Sequence, residues 1–207
     1  MSDYSKIKVG IIDLGINNIF SILQLFKDLN CKTEIYKKKN KKKYNLIVLP
    51  GVGSFNEAMK IIKKRKLDKD IYEIYKDKSK LILGICLGMQ LFFDNSNEFV
   101  KTKGLGLING NVTKLSNKVK IKTHIGWKQI FASDKNFKNL NTKLFYFVHS
   151  YFCNIKKKNE IIFKTKIQNF IFASGIIKKN LIGLQFHPEK SGVDGVRLIK
   201  LILNKIK

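Results

Sequence analysis

Arginine is almost missing. Only Arg65 and Arg197 occur among 41 basic residues in a chain of 207, which has 15 acidic residues and a formal net charge of +26. So large an excess invites a nucleic-acid reading. The scarcity of arginine argues against it, because the guanidinium fork, not the ammonium, makes the bidentate contacts that read phosphates and base edges. Asparagine and isoleucine are plentiful everywhere, as an AT-biased genome would produce, and the lysine run at 37–43 reads as a solvated loop. General attraction to polyanions is expected, but no specific nucleic-acid contact.

Long apolar runs are also absent. None approaches the roughly 20 residues needed to cross a bilayer, so no membrane association is expected. The first residues, Met1-Ser2-Asp3-Tyr4-Ser5-Lys6, lack the charged-then-apolar pattern of a secretory leader. Cysteines number three, Cys31, Cys86 and Cys153, with neither paired nor metal-type spacing. That odd count suits reduced thiols and a cytoplasmic location, with no metal site. No repeat or linker divides the chain, so one domain over 1–207 is expected, large enough to bury a core.

Apolar periodicity alternates in the first half. Residues 8–12, 33–36, 46–49 and 81–85 read as strands; 19–29, 55–62 and 71–75 carry helical spacing. This alternation predicts an α/β fold with an open, mostly parallel central sheet flanked by helices. Segments 105–115, 120–127, 144–152, 161–167 and 170–177 are β-rich with short breaks, predicting a partly antiparallel second half. Residues 193–206 close as an amphipathic helix.

Chemistry concentrates at Leu83-Gly84-Ile85-Cys86-Leu87-Gly88-Met89-Gln90. Cys86 falls between the 81–85 strand and a helical pattern over 87–93, with Gly84 and Gly88 two residues to either side. This is the thiol form of a nucleophile elbow, where a sharp turn projects the nucleophile. A helix N-terminus aimed at the sulfur favours thiolate. The Leu87 N–H, next in the chain, is one candidate donor for an oxyanion hole. The loop Pro50-Gly51-Val52-Gly53 also follows a strand and can meet Cys86 at one sheet edge.

A second motif, Gln185-Phe186-His187-Pro188-Glu189-Lys190-Ser191, follows the apolar segment 181–184. Alternate side chains of an extended chain share a face, so Glu189 can orient His187 while His187 takes the Cys86 proton.

These residues resemble a class I, triad-type glutamine amidotransferase and, more narrowly, the glutaminase subunits of imidazole glycerol phosphate synthases. The matching segments run in order along almost the whole chain: Asp13-Leu14-Gly15 with Asn18 and Ser21; Leu49 to Phe55; the Cys86 elbow; Gly104 to Ile108; His124 to Trp127; Tyr146 to Tyr151; and Gln185 to Ser191. The resemblance implies glutamine hydrolysis by Cys86, His187 and Glu189, with no cofactor. It implies a second oxyanion donor from the Pro50 loop at Gly53. It assigns glutamine binding to Gly51, Gln90, Glu98, His149, Ser150 and Tyr151. It further implies a heterodimer with a (β/α)8-barrel synthase that receives the ammonia, with Asn18, Trp127 and Lys128 facing that partner.

Three positions depart from the family pattern. Asn17 replaces a glycine, Thr123 a proline, and Lys128 an asparagine. All three belong to segments that the resemblance links to the partner side. They leave open a second reading, in which the same glutaminase feeds a paralogous barrel that amidinates a surface-glycan sugar. A reading of another class, an inactive polyanion-binding scaffold, rests on the lysine excess alone.

Overall fold

The computed structural model describes residues 3–16 and 19–206. Five parallel strands form the heart of the main sheet, in the order Lys32–Ile35, Lys8–Ile11, Leu46–Gly51, Leu81–Cys86, Leu181–Leu184. Three antiparallel strands extend it: Phe170–Lys178, Ile161–Ile167 and Phe131–Ala132. The predicted parallel sheet with an antiparallel second half is therefore present.

The central strands are apolar at every position because both faces are covered. Along Leu46–Gly51, Leu46 and Val48 pack on one side with Phe26, Leu198 and Ile202. Ile47 and Leu49 pack on the other with Phe55, Met59 and Ile71. Helices Phe20–Asp28 and Gly192–Leu203 thus cover one face, and Phe55–Lys64 and Leu67–Lys76 the other. Among the described residues, no helix is long and apolar enough to cross a membrane.

Two smaller sheets complete the fold, and the first of them meets the turn at His187 through Tyr146. His124–Gln129 and Leu144–His149 pair as an antiparallel ribbon. Tyr151–Ile155, Ile108–Lys114, Phe93–Ser96 and Thr102–Lys103 form a four-stranded sheet. The single strand expected over 144–152 is therefore two strands in different sheets, broken at Ser150. The strands expected at 105–115 and 120–127 begin later, at Ile108 and His124.

The helix expected over 87–93 stops at Gln90. Leu91, Phe92 and Phe93 are buried, as are the four helical residues before them, so burial by itself does not separate helix from strand here. The chain instead extends, and Phe93 pairs in parallel with Ile108.

Glycine is required where this short helix crosses the neighbouring strand. A Cβ on Gly88 would lie 1.7 Å from the Leu49 carbonyl oxygen, and one on Gly84 would lie 2.4 Å from the Phe92 ring. Gly88→Ala should therefore cost about 1–3 kcal/mol of unfolding free energy, the usual penalty for overpacking. Urea denaturation of the variant beside wild type measures this.

Candidate active site

Three adjacent parallel strands end at one edge and deliver the candidate residues. Leu46–Gly51 runs into Val52 and Gly53, Leu81–Cys86 into the short helix Leu87–Gln90, and Leu181–Leu184 into Gln185 and His187. Register aligns Gly51 with Cys86. The Cys86 backbone takes φ 54 and ψ −110, a region costly for a residue with a Cβ and typical of a strained elbow.

The sulfur hydrogen-bonds the Val148 carbonyl at 3.7 Å and accepts from Gln185 Nε2 at 3.8 Å. His187 is 3% exposed, and its Nδ1 donates to Glu189 Oε1 at 2.7 Å. This contact does not use the extended geometry expected from the sequence, because residues Pro188–Lys190 form a 3-10 turn. His187 Nε2 and Glu189 Oε2 are buried without hydrogen-bond partners among the described residues. Burial works against a charged His187 ring, but Cys86 and Glu189 together outweigh it and lift the pKa from 6.5 to about 10. An imidazolium beside a sulfur is the arrangement that supplies thiolate.

The other two histidines are held neutral. His149 Nδ1 donates to the Tyr151 carbonyl at 2.8 Å, so its Nε2 accepts from His124 Nδ1 at 3.2 Å. Burial depresses His149 to about 3; burial, with Lys128 adding its charge, depresses His124 to about 4.

A pocket of about 230 Å³ opens beside the sulfur. Of the residues assigned by resemblance, Cys86, Leu87, Gly53, Gln90, Glu98, His149, Ser150 and Tyr151 all line it. His187 and Glu189 stand behind the sulfur, off the pocket wall. A larger hollow of about 550 Å³, bounded by Phe152, Cys153, Phe170 and Lys164, contains none of the three. It is mostly apolar and lacks a nucleophile with an attendant base, so the smaller pocket is the candidate site.

Several expectations need adjustment. Gly51 is not on the pocket wall; it is pressed against Leu87, whose Cβ would sit 2.6 Å from a Cβ added there. Both ring nitrogens of His149 are already engaged, so its ring offers a ligand surface rather than a hydrogen bond. Glu98 borders the pocket, yet its Oε2 accepts the Phe55 N–H at 2.7 Å and so caps the helix Phe55–Lys64. Burial raises its pKa, partly offset by that bond. Asn18 lies outside the described residues. Trp127 and Lys128 are neighbours on one ribbon strand, so they point to opposite faces. Trp127, half exposed, shares the outer face with Ile125, Tyr146 and Val148. Lys128, also exposed, aligns with the inward Phe145 and leaves the strand from the opposite face.

Sequence reasoning passed over two residues. Ser191 Oγ donates to the His187 carbonyl at 2.6 Å and accepts the Tyr146 N–H at 3.1 Å, while the His187 N–H donates to the Tyr146 carbonyl at 2.9 Å. The ribbon and the catalytic turn are thereby clamped together. Gln185, fully buried, contacts Cys86 and Gln90. Apart from the local Ser191–His187 contact, their partners are 45 to 99 residues away, and no local pattern reports such contacts.

A family model for class-I glutamine amidotransferases matches residues 10–205. Among similar proteins, the imidazole glycerol phosphate synthase subunit HisH of Oceanobacillus iheyensis is 39% identical over 93% of this chain and 96% of its own length. The Pyrococcus furiosus subunit of that name is 38% identical over 93% and 96%. A solved glutamine amidotransferase superposes with a TM-score of 0.75 at 14% identity, covering 96% of this chain and 98% of that chain. At that identity the likeness speaks for the fold.

The opposed histidine environments predict a two-sided stability profile. His187, with its folded pKa raised, contributes stability that is present in full below pH 6.5 and declines as pH rises toward 10. His124 and His149, with folded pKa values depressed, lose stability as pH falls from 6.5 toward 4. Urea unfolding across pH 5 to 9 should show a maximum near 6.5. His187→Gln should flatten the decline between 6.5 and 9, and His124→Gln the acid side.

Proposed function

The chain belongs to the class-I glutamine amidotransferases, and from that premise we propose that it serves histidine biosynthesis as the glutaminase subunit of a two-subunit imidazole glycerol phosphate synthase, releasing ammonia for a (β/α)8-barrel partner. The observation that carries this reading is Cys86 on its strained elbow, with the His187–Glu189 pair behind it and a pocket in front.

The Cys86 thiolate attacks the side-chain amide carbon of glutamine. The developing oxyanion takes hydrogen bonds from Leu87 N–H, which has no acceptor within its four-residue helix, and from the loop at Gly53, whose φ of +95 permits its amide to turn. His187 passes its proton to the departing nitrogen, leaving a glutamyl thioester and ammonia. His187 then takes a proton from water, and the resulting hydroxide releases glutamate. Glu189 holds the imidazolium throughout. Gln90 spends both amide hydrogens on Tyr151 O and Gln185 Oε1, so its carbonyl oxygen is left to receive the α-ammonium of glutamine. Ser150, joined to Thr123 at 2.7 Å, and the Tyr151 segment complete the wall.

Ammonia protonates in water, which favours direct transfer to a docked synthase. The outer ribbon face of Ile125, Trp127, Tyr146 and Val148 is an apolar surface suited to that docking, and Val148 joins it to the nucleophile. The family departures at Asn17, Thr123 and Lys128 keep the glycan-modifying barrel as the competing partner.

Mixing the chain with the barrel subunit of the histidine operon should raise glutamine turnover about a hundredfold, a shift of about 2.7 kcal/mol. A paralogous glycan barrel should leave it unchanged. Cys86→Ala should abolish turnover while retaining the complex. Trp127→Ala should weaken the complex by about 2 kcal/mol. Turnover surviving in Cys86→Ala would end this reading; activation only by the paralogue would move the chain to the other pathway.

A further inference from the structure

We infer that Gln185 is a positioning residue that selectively holds Cys86 as thiolate and, through its other end, aims Gln90 at the substrate. The inference rests on Cys86 being the nucleophile. Gln185 is fully buried and joins two functional side chains that are not otherwise hydrogen-bonded to each other.

Its orientation follows from the network. The Tyr151 carbonyl can only accept, so the Gln90 atom 3.0 Å from it is the nitrogen. That same nitrogen lies 3.2 Å from Gln185 and must find an acceptor there, which places Gln185 Oε1 toward Gln90. The Gln185 amide nitrogen is thereby turned to Cys86 Sγ at 3.8 Å.

Two hydrogen bonds to the sulfur then have opposite preferences. The Val148 carbonyl at 3.7 Å is an acceptor and suits the thiol, which has a proton to donate. The Gln185 N–H is a donor and suits the thiolate, which has none. Proton transfer from Cys86 breaks the first contact and strengthens the second. Imidazolium formation at His187 acts in the same direction from the other side.

The experiment follows alkylation of the Cys86 peptide by iodoacetamide with mass spectrometry, with and without glutamine as protectant. Gln185→Met keeps the bulk and removes both hydrogen bonds. At pH 6.5 it should react about tenfold more slowly than wild type, the size of one hydrogen bond to a charged group. At pH 10, where a thiol ionises without help, the two should agree within about twofold. The glutamine concentration giving half-protection should rise several-fold. Gln185→Glu, a near-isosteric second variant, keeps an acceptor for Gln90 but sets a carboxylate beside the sulfur. It should react even more slowly at pH 6.5, with half-protection close to wild type. If Gln185→Met or Gln185→Glu reacts like wild type at pH 6.5, the inference is wrong. So it is if the slowing persists equally at pH 10, because that describes a damaged fold. Failure of glutamine to protect wild-type Cys86 would instead overturn the glutaminase reading, whatever the variants do.

Discussion

Everything at the site depends on one backbone constraint, the turn of Cys86 at φ 54 and ψ −110 between strand and helix. A β-carbon makes that conformation expensive, so the surrounding packing must hold it. The support is visible. Gly88 lets the short helix lie against the Leu49 carbonyl, and Gly84 lets the Phe92 ring lie against the strand. The strain is useful because it projects the sulfur between the Val148 carbonyl and the Gln185 amide, at the wall of a pocket.

Parallel strand pairing then brings the other parts to the same edge. The strand before Gln185 and His187 is hydrogen-bonded to the strand that ends in Cys86, and the Pro50 loop leaves the strand on its other side. Ligands of open α/β sheets bind beyond such carboxyl ends. The site is completed from a different layer, because the ribbon strand Leu144–His149 lies over the catalytic turn through Tyr146, His187 and Ser191. The same strand presents the Val148 carbonyl to the Cys86 sulfur and aligns Tyr146 with the exposed Trp127. A partner resting on the outer ribbon face would press on an element in direct contact with Cys86.

One residue type performs two electrostatic tasks here. His187 faces Cys86 and a buried carboxylate, and is charged. His124 and His149 face each other and a carbonyl, and are neutral. Burial opposes charge in all three cases; Cys86 and Glu189 outweigh it at His187, whereas nearby positive charge reinforces it at His124 and His149. The Tyr151 carbonyl accepts from both His149 and Gln90, and it is this acceptor that orients Gln90 toward Gln185.

The sequence by itself determined what depends on short-range geometry. The Gly84–Cys86–Gly88 spacing specified a tight thiol elbow. Unbroken apolar strands alternating with helical spacing specified a parallel sheet covered on both faces. His187 and Glu189, two residues apart, were bound to be neighbours, although a 3-10 turn rather than an extended segment joins them. Only the tertiary structure decided which side chains from distant segments share a hydrogen bond. Gln185 touching Cys86, Ser191 clamping Tyr146, Glu98 capping the helix at Phe55 and His149 meeting His124 all join residues 25 to 99 positions apart. The helix gave way to a strand where Phe93 pairs with Ile108, and Trp127 and Lys128 were separated by strand alternation once the ribbon's register was set. Local patterns encode backbone conformation and burial period. Partners across sheets are chosen by packing, which no short window of sequence contains.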